Sequence, residues 1–426
     1  MKKIIIFILI ATSLFGVGKK LNTAIPPAKN IVIDIDPFEC SAACLQNYLK
    51  QGLVFSFLAK AKESEEFKER YLSLASILNI QKEQKGFGEA LVDENNLNES
   101  GFDYSKKGSY AKIALLVPQK VIGKYTLSIS KSALAYLIFR NGDFDFEVFN
   151  CQDEEESSIL NSLKEIKEKG YKYVIAAMTQ KGAKIIALNE RDLQIYIPTV
   201  NKMEASYATS PNIYFGGLDY LKQIEELSQF ANDKIVYFKD MSPVSQKISY
   251  FVKELFKDKI VYEGDIESKS KNYKWMIKGN GYLNNATIFL NTPLIKTSLI
   301  LSQMRYYNIR PYVVLSTQLN YHPYLLKLTQ YPDRKNMLIA NSVLDRDFRL
   351  TDTNSILDND IKFNWINYST SLGMDFFYTS FIDQTGDERV FSEMLQDNQV
   401  NYQVEILKPS VAEFIDVENT QTQASE

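Results

Sequence analysis

The chain is predicted to be an α/β protein of two Rossmann-like lobes, each a parallel sheet flanked by helices, with a small helical module ahead of them. Three observations predict this. Between residues 110 and 409, short apolar strand segments alternate with longer amphipathic helical ones, the pattern of parallel sheets covered on both faces. The alternation runs through two successive sets, one for each lobe. The 426 residues, 45% hydrophobic and 24% charged, exceed what one core holds and suit two or three domains.

The elements justify themselves in order. Lys2 and Lys3, the apolar run 4–17 and the small-x-small triplet Gly16-Val17-Gly18 predict a secretory signal peptide over 1–18. The apolar run is shorter than the roughly 20 residues a membrane span needs, so the mature chain would have no span. An uncleaved anchor is the competing reading, because Gly-x-Gly is a poorer cleavage site than Ala-x-Ala. Residues 30–36 (NIVIDID) alternate as a short strand or extended arm. The stretch 30–80 is a helical module of two or three helices, interrupted at Gly52. Cys40 and Cys44 share a helical face there and are a candidate disulfide in an oxidising compartment, although an ideal helix strains such a bridge. Two small buried thiols are the alternative, and Cys151 is left over either way. Polar residues 81–109 form a linker. The tail 410–426 has too little apolar surface to order itself.

The first lobe opens with a buried-type strand over 112–118 (KIALLVP), then a helix over 125–140, a strand over 144–150 after the turn Asn141-Gly142, and a helix over 155–169. Strands follow over 171–178, 193–199 and 212–216, with a helix over 180–188. The second lobe repeats the theme, with helices over 218–230, 243–256 and 293–307. Its strands lie over 234–239, 259–266, 286–291, 311–316 and 337–341. The predicted bounds are 110–217 for the first part of lobe one, 218–342 for lobe two, and 343–409 for a return to lobe one.

The strand KIALLVP, a loop with Gly123 and a long helix resemble the opening of the type I periplasmic binding proteins. The segment 212–221 (NIYFGGLDYL) sits where that family crosses between lobes. The segment 367–377 (NYSTSLGMDFF) resembles the family's late helix: Gly373 and Asp375 match, and Met374 stands where an aromatic is usual. The resemblance runs over roughly residues 111–408 and implies the two-lobed fold. The N-terminal helical module also resembles the branch of this fold that activates penicillin-binding proteins. Members of that branch are normally lipid-anchored, and here no cysteine lies near the end of the apolar run.

Ligands of open parallel sheets bind beyond the carboxyl ends of the strands. The cleft candidates are therefore Gln119, Thr179, Gln180, Thr199 and Asn201 in lobe one, and Asp240, Asn291, Thr292, Thr317 and Gln318 in lobe two. The competing reading for each is a helix cap. The resemblance implies an acidic anchor for an amino-acid ligand after a lobe-two strand, where this chain carries Thr317 and Gln318; Asp240 is the one acid of that lobe's set. The acidic run 153–156 reads as complementing a helix dipole. Catalysis has little to build on: the single histidine, His322, precedes Pro323 and reads as a helix-start or surface residue. No metal and no cofactor are called for. A net charge of -3 without a basic stripe argues against nucleic acid.

Taken together, these features predict a non-catalytic periplasmic protein working through protein contacts in the cell envelope, as accessory, activator or scaffold of an envelope machine such as cell-wall synthesis or a motor. The alternative is a solute receptor for an ABC transporter or sensor that takes a small-molecule ligand. A hydrolase is the distant third.

Overall fold

The computed structural model describes residues 40–78 and 108–417, apart from 63, 206, 268–271, 345–346 and 384–385. The signal-peptide expectation, the arm 30–36 and most of the linker lie outside the described residues. The chain divides into two compact units, the smaller holding the N-terminal helices and the larger both sheets.

The smaller unit has three helices among its described residues: Ala42–Lys50, Val54–Lys60 and Lys68–Ile77. Gly52 breaks the first two apart with φ +71, a conformation that costs glycine least. Phe57, Leu58, Ala61 and Leu74 are buried, and Phe57 meets Phe67 edge-on at 5.9 Å. A disulfide joins Cys40 to Cys44 across a Cα separation of 5.4 Å. Cys40 precedes the helix, which begins at Ala42, so the bridge is not confined to helical geometry.

The larger unit holds two seven-stranded sheets. The first is built from β1 (Gly108–Val117), β2 (Gly142–Asn150), β3 (Tyr173–Ala176), β4 (Gln194–Ile197), β5 (Ile213–Phe215), β11 (Met394–Gln396) and β12 (Gln399–Asn401), in the order β11-β12-β5-β4-β3-β1-β2. The second contains β6 (Ile235–Asp240), β7 (Ile260–Ile266), β8 (Thr287–Leu290), β9 (Val313–Ser316), β10 (Met337–Asn341), β13 (Glu405–Pro409) and β14 (Phe414–Asp416), in the order β14-β13-β10-β9-β8-β6-β7. The first five strands of each sheet follow the same order, and the last two are exchanged: β12 lies inside β11 in the first sheet, whereas β13 lies inside β14 in the second. Pairing is parallel except β11–β12, β10–β13 and β13–β14. Central strands such as Val313–Ser316 are buried along their whole length, as parallel strands covered on both faces must be.

Local signals explain the element ends. Ser242 caps the helix Pro243–Phe256 by accepting from the Ser245 N–H, and Pro243 takes the first helical position. Asp219 caps Tyr220–Ser228 in the same way through the Lys222 N–H at 2.9 Å. The helix Trp365–Phe377 is buried almost all round and crosses the first sheet at Tyr196. A side chain at Gly373 would run into the Tyr196 ring, so glycine is what lets the helix lie this close.

That helix ends in a buried charge cluster. Asp375 accepts from Arg140 Nη2 at 2.7 Å, Tyr136 OH at 2.9 Å and the Val390 N–H at 3.2 Å. The free thiol of Cys151 packs in the other layer of the same lobe, and burial pushes it up to about 11.

Three expectations need correction. β1 begins at Gly108, inside the stretch expected as linker, because the Gly108 N–H bonds to Asn141 O and extends the pairing with β2. The return 343–409 does not stay in lobe one: after β12 the chain crosses once more and places β13 in the second sheet. The tail expected to be disordered from 410 contributes β14, where Phe414 packs 4.9 Å from the Tyr321 ring. Arg334, almost fully buried, ties this hairpin down by donating to Ser410 O at 2.8 Å and Val411 O at 3.0 Å.

Candidate functional site

Among the described residues the chain crosses between the sheets three times, at 216–219, 342–347 and 402–404. Each crossing leaves the carboxyl end of a strand, so the carboxyl edges of both sheets open toward the same gap, where open α/β sheets recognise ligands.

On the first-lobe edge, most sequence candidates are already engaged. Glu154, buried, accepts from the Thr179 N–H at 2.6 Å and from the Thr179 hydroxyl. It thereby fills the amino end of the helix Gln180–Asn189, a place suited to an anion. A Cβ at Gly182 would lie 2.7 Å from Glu154 Oε1, so the carboxylate fits because residue 182 is glycine. Thr179 also caps that helix through the Lys181 N–H at 3.3 Å. Thr199 donates to Met178 O at 2.5 Å, and Asn201 donates to Gly217 O at 3.1 Å at the first crossing. Gln119 is exposed and exchanges hydrogen bonds with Asn150.

Gln180 reaches into the gap. Its Nε2 donates to Glu204 Oε2 at 2.5 Å, and the other oxygen of Glu204 takes Lys247 Nζ from the second lobe. Lys247 also lies 5.5 Å over the Tyr220 ring. This ion pair joins the two carboxyl edges directly.

On the second-lobe edge Asp240 is buried and paired with Lys296 Nζ at 2.6 Å. Burial pushes its carboxyl up, but the hydrogen bonds from Lys296 and Ser242 win and hold it below the usual carboxylate range. Thr292 is closed off by Thr297, at 2.9 Å between hydroxyls. Asn291, Thr317 and Gln318 come together at the ends of β8 and β9. Asn291 Oδ1 accepts from the Thr317 N–H at 3.1 Å. Gln318 Oε1 accepts from the Ser342 N–H at 2.6 Å, at the second crossing. The Gln318 N–H donates to Gln223 Oε1 at 3.0 Å, and Gln223 Nε2 donates to Ser342 Oγ at 2.7 Å. Asn291 Nδ2 and Gln318 Nε2 are buried with no partner.

His322 caps the helix Pro323–Leu328 by accepting the Tyr324 N–H on Nδ1 at 3.1 Å.

No family profile matches the chain, and no curated protein matches it in sequence. Solved structures do match. A branched-chain amino acid ABC transporter protein from Thermus thermophilus with bound valine is 12% identical, with TM-score 0.51, over 73% of this chain and 96% of its own. An ABC transporter substrate-binding protein from Sphaerobacter thermophilus is 9% identical, with TM-score 0.52, over 72% and 96%. An amino acid ABC transporter substrate-binding protein from Pseudomonas fluorescens is also 9% identical, with TM-score 0.51, over 73% and 96%. The chain has the fold of the type I periplasmic binding proteins.

Within this fold, reading the first polar residues after each strand reached the edge but missed the groups that set its charge. Glu154 falls in the acidic run expected to serve its own helix; Glu155 and Glu156 do begin that helix, while Glu154 turns to the neighbouring one. Lys296 carried a usable signal. It stands in the first turn of the helix Leu294–Tyr306, where a cation opposes the dipole unless an acid is beside it. Glu204, Lys247 and Gln223 gave no such signal, since each acts across elements far apart in sequence.

Proposed function

We propose that this chain is a non-catalytic, exported binding protein that closes its two lobes around a small solute and presents it to a transporter or sensor. The observation that carries the reading is the contact of the two carboxyl edges through Glu204 and Lys247, across a gap bordered by three chain crossings. Such a hinge lets a ligand enter when the lobes part and be enclosed when they meet. The solved structures of like fold support it: one carries bound valine and two are substrate-binding proteins of ABC transporters. Export rests on the charged and apolar start of the sequence, with the periplasm as destination. No helix among the described residues is long and apolar enough to cross a membrane.

A thermal-shift screen of amino acids, peptides, sugars and amides tests the reading. A true ligand at 100 times its dissociation constant adds about 2.7 kcal/mol and raises the melting temperature by several degrees. A flat response across all four classes overturns it.

A second reading, protein contacts in the cell envelope as accessory or scaffold, draws on the separate N-terminal unit with its Cys40–Cys44 bridge. It expects a partner whose capture is lost when that unit is deleted and kept when the gap is mutated.

A further inference from the structure

The second-lobe edge holds buried amide groups whose orientation is settled and whose donors are open. Asn291 is 1% exposed and Gln318 3%. Flipping either amide is ruled out by what its oxygen does. Asn291 Oδ1 takes the Thr317 backbone N–H, and Gln318 Oε1 takes that of Ser342. A flip would set N–H against N–H in both cases. The nitrogens Asn291 Nδ2 and Gln318 Nε2 are therefore donors left without acceptors, on residues that follow β8 and β9. Asn320 adds an open acceptor: its Nδ2 is held by Ser316 Oγ at 2.8 Å and by the carbonyls of Leu290 and Thr292, both at 3.2 Å, while Oδ1 has no partner. Buried donors and acceptors in this state are costly and call for occupants.

The charges around the gap tell the complementary half. Asp240 is matched by Lys296, Glu204 by Lys247, and Glu154 by the Thr179 N–H and hydroxyl. A zwitterion or an ion entering here finds neither an open carboxylate nor an open cation among these groups. Displacing Lys296 to make room would strand the buried Asp240 carboxylate with little water.

We infer that the ligand of this gap is an uncharged amide, whose carbonyl oxygen accepts from Asn291 Nδ2 and Gln318 Nε2 and whose N–H donates to Asn320 Oδ1. The inference rests on the receptor reading above and narrows its ligand class. One carbonyl oxygen has two lone pairs, which matches two open donors in number, and the amide N–H matches the open acceptor of Asn320. The edge becomes reachable as the lobes part, since one crossing starts at Ser342, the residue whose N–H holds Gln318.

The test is calorimetric titration of the full chain with matched compounds: N-acetylalaninamide and N-acetylleucinamide as neutral amides, alanine and leucine as zwitterions, N-acetylleucine as the anion. The neutral amides should bind at least tenfold more tightly than their charged counterparts. Gln318→Glu and Asn291→Asp keep the oxygens that hold Ser342 and Thr317 and remove the open donors. Each should weaken the neutral amide about tenfold, with melting curves reporting that the variant is folded. Leucine or alanine binding as tightly as its neutral partner overturns the inference, as does unchanged amide affinity in both folded variants. If no compound of this set binds, the inference fails. The receptor reading then stands or falls separately, on whether the wider thermal-shift screen yields a hit of another class.

Discussion

The first lobe fills its own carboxyl edge, whereas the second, which shares the order of the first five strands, leaves its edge unfinished. In lobe one Glu154 takes both donors of Thr179, Thr199 bonds back to Met178 O, and Asn201 bonds to Gly217 O. In lobe two Asn291 and Gln318 are anchored by their oxygens and keep open nitrogens. Shared topology therefore does not mean shared work. At these positions one lobe spends its hydrogen-bonding capacity on itself, and the other keeps two buried donors open.

The largest expected effect comes from breaking the rigid side. Asp375 is fully buried and takes Arg140, itself 8% exposed in its side chain, at 2.7 Å. Asp375→Asn keeps the shape but strips the counter-charge from a buried guanidinium, which should destabilise the protein by about 3–5 kcal/mol. Urea denaturation followed by circular dichroism measures this. A loss below about 1 kcal/mol would mean that water and the Glu388 carbonyl, which already accepts from Arg140 at 3.0 Å, compensate the guanidinium.

A smaller effect is expected at the corresponding pair in lobe two. Lys296→Met leaves Asp240 buried with the Ser242 bonds alone, at a cost of about 2–3 kcal/mol, less than for Asp375 because those bonds remain. The pH dependence sharpens the point. In the native chain the Asp240 carboxyl is held below its ordinary value, so its contribution is present above the unfolded value of about 3.9. It is lost as pH falls through the lower, folded value. Without Lys296 that loss should set in at higher pH. Melting temperatures recorded from pH 3 to pH 7 decide it: parallel curves for variant and parent would show that Lys296 does not set this carboxyl.

How much of this comparison was legible beforehand depended on how local each signal is. The helix Pro243–Phe256 is readable at both ends because Ser242-Pro243 is a cap followed by a preset first turn. Strands β1, β3, β6, β8 and β9 are readable because parallel central strands are continuous apolar runs. The third crossing and the β13–β14 hairpin were not. Their strands are three to five residues long, the hairpin joins its sheet only through the antiparallel pairing of β13 with the distant β10, and Arg334 and the Tyr321–Phe414 contact hold it there. At the site, positions just past strand ends could be named from sequence. Which of them are occupied could not, because the occupants, Glu154, Glu204, Gln223, Lys247 and Lys296, come from other elements.

The link between the unlike edges should be weak, as a reversible closure requires. Lys247 and Glu204 retain 29% and 14% of their side-chain exposure, so solvent screens them and the pair contributes about 0.2–1 kcal/mol. Glu204→Gln should shift the population toward parted lobes without unfolding either one. Small-angle scattering should give a larger radius of gyration for the variant at low salt and convergence with the parent at 0.5 M salt, where the Debye length falls to roughly 4 Å. Superimposable profiles at low salt would remove this pair from any role in closure.

The smallest effect concerns a helix cap of the second lobe and is read from its pH dependence. His322 holds the start of the helix Pro323–Leu328 with Nδ1 as acceptor, which requires a neutral ring. Burial lowers its affinity for a proton, and Lys327 adds to this, while Asp360 opposes. The folded value is therefore below the unfolded value of about 6.5, so the unfolded chain binds the proton first. Stability from this group is present above about pH 6.5 and declines as pH falls through the folded value, a window that lies above the one expected for Asp240. His322→Asn retains a capping oxygen and has nothing to titrate. The variant should match the parent's melting temperature near pH 7.5 and exceed it near pH 5. A difference that does not change with pH would mean that the ring packs against Tyr324 and Phe363 without its proton mattering.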